Sequence, residues 1–176
     1  MQWSLEHIHA QNSESLKTKD QWKKWFEESL EVVNKIDIAE GDKDKIIKGI
    51  NSFIDILNKD ETKLDDLKDK FDKLFISIVI LFQDKNMNTV HELSNMALLD
   101  KDTNSSLNNA LFPLKRKRIK EKIAKGVFIP ICTQRVFTKY YSNNVSQMYF
   151  WGLKDRKAYL ENINIVLTDF VQSINK

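Results

Sequence analysis

The 176-residue chain contains one cysteine, two prolines and four glycines. Each scarcity excludes something. A single thiol, Cys132, closes no disulfide within the chain and leaves any metal site to histidine, asparagine and carboxylate ligands. So few glycines and prolines cannot supply the frequent turns of an all-β sandwich or barrel, and they exclude collagen-like and glycine-rich chains. No apolar run approaches the roughly 18 residues of a membrane span, and no basic-then-apolar leader opens the sequence. The sequence therefore predicts a soluble, cytoplasmic protein without membrane contact. What is present, 41% apolar and 30% charged residues, suffices for one compact domain with its own core.

The net charge of +3 hides an asymmetry. Residues 13–86 carry 14 basic against 17 acidic side chains, whereas residues 87–176 carry 14 against 7. Within the basic half, residues 115–125 read KRKRIKEKIAK, seven cations against Glu121. Such a run either attracts a polyanion or is a solvated helix face.

The acidic segment reads as helices. Trp22, Trp25, Phe26, Leu30 and Val33 recur at three- and four-residue steps, as do Ile46, Ile47, Ile50, Phe53, Ile54 and Leu57, and then Leu64, Leu67, Phe71, Leu74, Phe75 and Ile78. Asp42 and Asp60 are the expected N-caps of the second and third helices. Further on, 95–99 reads as a short strand pairing with residues near 3–8, and 100–104 as a polar turn. A helix is expected from about residue 105 to Gly126, kinked or split by Pro113. Two more are expected over 133–141 and 153–174. The aromatic residues at helical spacing read as core, and Cys132 as a small buried residue.

At the start, Trp3-Ser-Leu-Glu6-His7-Ile-His9-Ala-Gln11 sets a carboxylate beside an imidazole in a segment of β character. Neighbours on a strand point to opposite faces, so Glu6 and His7 do separate jobs rather than touching side by side. His9 would share the face of His7, and His91, ahead of the second strand, reads as structural.

Three blocks taken together carry a resemblance. Glu6-His7-Ile8-His9-Ala10-Gln11 matches an Asp/Glu-His-Ile-x-x-Gln signature, with Ala10 where a proline is usual. Ser94-Asn95-Met96-Ala97-Leu98-Leu99, then Asn104, Phe112 and Lys115-Arg116 match a second block. Phe128 to Tyr141, followed by Trp151, Asp155-Arg156 and Tyr159, match a third. In this order they resemble the HNH, or ββα-metal, nuclease domain at the C-terminus of GmrSD-type modification-dependent restriction endonucleases. The likeness skips residues 13–86. The resemblance thus implies a single domain over 1–176 of mainly α (α+β) class: a small ββα-metal core, a helical insertion at 13–86 between its strands, and C-terminal helices packed around it.

That resemblance also implies a function, a metal-dependent DNA endonuclease that nicks foreign or phage DNA. In it His7 would be the general base. Glu6, Asn104 and Asn108 would be ligands of a divalent ion, Mg²⁺ foremost and Mn²⁺ as the alternative. Asn104 would also serve the catalytic step, and Asn95 would hold the histidine's loop. Lys115 and Arg116 would grip DNA phosphates, with Lys117, Arg118, Lys120 and His9 extending the contact. Because the first signature opens at residue 3, the expectation is either an excised C-terminal domain or a truncated stand-alone gene product, with the N-terminal nucleotide-binding and target-recognition domain or subunit missing from this chain. The competing expectation is a catalytically inactive helical module that binds nucleic acid or another protein.

Overall fold

The computed structural model describes residues 2–9, 16–37, 39–59, 63–82, 92–107, 109–141 and 148–174, with the side chains of the last helix described as far as residue 168. The fold is mainly helical with one small antiparallel sheet. Strand β1 (Trp3–His7) pairs with β2 (Met96–Asp100), with Glu6 opposite Ala97 and His7 opposite Met96. Between the strands the chain forms α1 (Lys19–Val33), α2 (Glu40–Leu57) and α3 (Leu64–Leu81), and a 3₁₀ turn, Leu93–Asn95, precedes β2. After β2 come α4 (Lys101–Leu107), α5 (Phe112–Ala124), α6 (Ile131–Phe137) and α7 (Leu153–Ile174).

Local chemistry explains most boundaries. Thr18 and Gln21 form a capping box at α1: the Thr18 hydroxyl accepts from the Gln21 amide at 3.2 Å, and the Gln21 side chain accepts from the Thr18 amide at 3.1 Å. Asp42 does not cap α2. That helix starts at Glu40, after Ala39, which places Asp42 inside the first turn, where a carboxylate still favours the helix dipole. Asp60 lies outside the described residues. The expected polar turn at 100–104 is instead the start of α4, because the Asp100 carboxylate accepts from the amides of Asp102 at 3.1 Å and Thr103 at 3.0 Å. Pro113 stands in the first turn of α5, so the long basic helix is split rather than kinked. Gly126, at φ +77°, closes α5 in the left-handed conformation that glycine adopts without strain.

Two apolar clusters form. The first joins α1, α2 and α3 through Trp22, Phe26, Phe53, Phe71 and Phe75, with Trp22 stacked on Phe71 at 4.0 Å between ring centres. The second lies around the sheet and contains Ile8, Leu99, Phe112, Ile119, Val136, Phe137 and Trp151. Helix α5 serves both, giving Leu114 to the first and Phe112 and Ile119 to the second.

Candidate functional site

Strand alternation sets the site. Ser4 and Glu6 turn towards α4 and α5, while Trp3, Leu5 and His7 occupy the other face, on which Trp3 and Leu5 are exposed. Glu6 is buried, and its Oε1 meets the Lys115 ammonium at 2.5 Å. The same ammonium donates to the His7 carbonyl at 2.6 Å. One cation from α5 thus clamps both residues of the Glu6-His7 pair, through a side chain in one case and the backbone in the other. Burial raises the Glu6 carboxyl above its ordinary value against the pull of Lys115, and burial lowers Lys115 against the pull of Glu6.

Asn95, fully buried, ties the chain as it leaves β1. Its carbonyl accepts from the Ile8 amide at 2.9 Å and its side-chain Oδ1 from the His9 amide at 3.0 Å. Asn104 reaches β1 from α4: its Nδ2 donates to the Ser4 hydroxyl at 2.8 Å and to the Leu5 carbonyl at 3.2 Å. Ser4 and Glu6 lie two apart on the strand, so Asn104 approaches the face that carries Glu6. Asn108 and His91 lie outside the described residues.

His9 does not share the face of His7. The strand ends at His7, the backbone bends, and the imidazole turns inward to 3% exposure, which removes it from any phosphate contact. Neither ring nitrogen has a hydrogen-bond partner among the described residues. Burial, with the nearby charges of Lys115 and then Arg156, pulls its pKa down to about 4. The unfolded chain takes up a proton near the ordinary imidazole value, 6.5, that the folded chain refuses until about pH 4. Stability should therefore fall as pH drops through this window, by about 3 kcal/mol in all. Urea unfolding midpoints for wild type and His9→Leu over the same pH range measure it, and parallel curves for the two proteins would refute it.

Several cations of the basic run are engaged by the protein itself. Lys115 is 1% exposed and contacts no solvent-facing phosphate site; a long side chain starting on the core face of α5 ends at Glu6. Arg116 donates through Nε to the Phe137 carbonyl at 2.9 Å. Arg118 binds both oxygens of Glu28 on α1 at 2.6 Å and donates to the carbonyls of Ser106 and Leu107 at the end of α4. Lys117 pairs with Glu31 of α1 at 3.2 Å, and Lys120 is exposed. Of the residues expected at DNA phosphates, Lys117 and Arg118 thus make ion pairs with α1 of the acidic block, and Lys115 is taken up by Glu6 and the His7 carbonyl of β1.

The third sequence block holds the sheet in place. Thr133 donates to the Leu98 carbonyl at 2.6 Å, Trp151 to Ser94 at 2.9 Å and Tyr159 to Met96 at 3.3 Å. Burial pushes the Tyr159 hydroxyl up to about 12, so it remains a donor. Asp155 accepts from the buried Lys139 ammonium and from the Gly152 amide, both at 2.9 Å. Cys132 is exposed, not buried, because Thr133, Val136 and Phe137 form the inward side of α6.

Among the described residues no three His, Cys, Asp or Glu side chains gather into a metal-binding group. The oxygen donors that remain are the second oxygen of Glu6 and Oδ1 of Asn104, which accepts from no donor among the described residues. Carboxylate and amide oxygens suit a hard divalent ion that keeps most of its waters. No family model, curated protein or solved structure matches the chain.

Proposed function

We propose that the chain is a metal-dependent DNA endonuclease domain of the HNH type, acting in restriction of foreign DNA as part of a longer protein that supplies target recognition. The observation that carries the reading is the clamp at the end of β1: Glu6 and His7 held by Lys115, the outgoing backbone held by Asn95, and Asn104 brought to the same strand from α4.

Hydrolysis of a phosphodiester needs a deprotonated water, a site for the extra charge of the transition state and a stabilised leaving oxygen. His7, half-buried at the end of β1 with its Nε2 shielded from bulk solvent, takes the proton from a water admitted to the site. Its carbonyl is fixed by Lys115, so the backbone beneath the imidazole does not drift. Glu6 and Asn104 present oxygen donors that would hold Mg²⁺ or Mn²⁺. Such an ion, when bound, would supply charge neutralisation at the phosphate and the leaving oxygen.

The domain should convert supercoiled plasmid to the open circle with Mg²⁺ or Mn²⁺, and EDTA should stop it. Absence of nicking with every divalent ion tried would sink the reading. It would favour a catalytically inactive nucleic-acid-binding module, for which the pairing of Glu6 with Lys115 is the supporting observation.

A further inference from the structure

The outer face of α5 lines an open cleft of about 420 Å³ that the candidate catalytic residues do not share. Arg116, Lys117, Lys120 and Glu121 project from this face, and Tyr149 stands in the opposite wall. Their spacing places them on one side of the helix, away from Phe112, Lys115 and Ile119, which are buried.

Each wall is fixed in place. Arg116 is anchored through Nε to the Phe137 carbonyl, and its terminal nitrogens have no acceptor among the described residues. A guanidinium held this way offers two parallel donors, the fork that matches phosphate oxygens. Lys120 has no ion-pair partner among the described residues, and Lys117 is engaged only by the exposed Glu31, an ion pair that a phosphate can replace at small cost. Tyr149 packs against the helical core, which holds a half-buried ring at the mouth of a cationic cleft.

We propose that this cleft binds an unpaired nucleotide of a DNA strand, with Arg116 and Lys120 on successive phosphates and the Tyr149 ring stacked on the base. Arg116 and Lys120 stand four residues apart, about 6 Å along the helix axis, and so serve more than one phosphate. A single free nucleotide would leave part of this row unused. Glu121, the one carboxylate in the lining, disfavours dense negative charge such as a triphosphate. The identity of the polymer as DNA rests on the nuclease reading; the cleft and its chemistry do not.

The test uses the 176-residue chain carrying His7→Ala, so that binding is read without cleavage, and the anisotropy of a fluorescent thymidine oligonucleotide. Tyr149→Leu should weaken binding about tenfold, and Tyr149→Phe should leave it unchanged. Lys120→Gln, at an exposed position with no hydrogen bond or ion pair among the described residues, should reduce the salt slope by about 0.7. Inorganic phosphate and thymidine monophosphate should compete only weakly, and a duplex of the same length should bind without dependence on Tyr149.

Binding indifferent to both Tyr149→Leu and Lys120→Gln would overturn the proposal. So would displacement of the oligonucleotide by the mononucleotide at equal affinity, which would mark a free-nucleotide site. A protein that binds through the cleft but never nicks DNA refutes the nuclease reading alone. One that nicks but ignores Tyr149 and Lys120 refutes the cleft alone.

Discussion

His7→Ala should lower plasmid nicking by about 10²- to 10⁴-fold while leaving the fold intact, because a positioned general base contributes on that scale. The imidazole is half-buried, and the contact that His7 makes with Lys115 uses its carbonyl, which alanine retains. Helical circular dichroism should therefore keep its wild-type form, and the urea midpoint reports any stability that the imidazole itself contributes. A change confined to the rate, seen at saturating Mg²⁺, separates a proton-transfer role from a structural one. Equal nicking by both proteins would remove His7 from the mechanism and point the search to another base.

A larger effect on stability is expected at Lys115. Its ammonium is 1% exposed and neutralises Glu6 in a site that also holds the His9 ring. Lys115→Met removes one charge and leaves the Glu6 carboxylate buried without compensation, which costs about 3–5 kcal/mol. That is a large part of the 5–15 kcal/mol typical of a domain, so the variant should be close to unfolding at ambient temperature. Pairing it with Glu6→Gln removes the stranded charge and should recover most of the loss. Urea unfolding of the two single variants and the double variant closes the cycle. A loss below about 1 kcal/mol for Lys115→Met would mean that the pair is solvated.

Much of this arrangement was legible in the sequence. The three helices between the strands follow from the recurrence of Trp22, Phe26, Phe53, Phe71 and similar residues, a signal that depends only on local period and matches the buried positions. The two-stranded sheet was legible for a similar reason, through short β-rich segments at both places, and Pro113 announced the break before α5.

The charged run was not legible, because sequence states how many cations stand together but not what lies opposite. The partner of Arg118 is 90 positions away on α1, and that of Lys115 is on β1, so no local pattern distinguishes a docking residue from a phosphate contact. His9 was misplaced by one assumption, that the strand continues beyond His7; the bend there reverses the side on which every later residue lies. Asp42 and Asp100 show the same limit at helix ends. Either carboxylate could cap, and only the backbone path decides that Asp100 does.

The clamp that joins His7 to Lys115 spans 108 positions of chain. A ribosome that has made the Glu6-His7 pair must add all three helices of the acidic block, β2 and the start of α5 before the cation that organises the pair exists. The pair is made well before the cation that organises it, so its organised form appears only after residue 115 has been added. Under the nuclease proposal, this order withholds activity from every nascent chain stalled or truncated before residue 115.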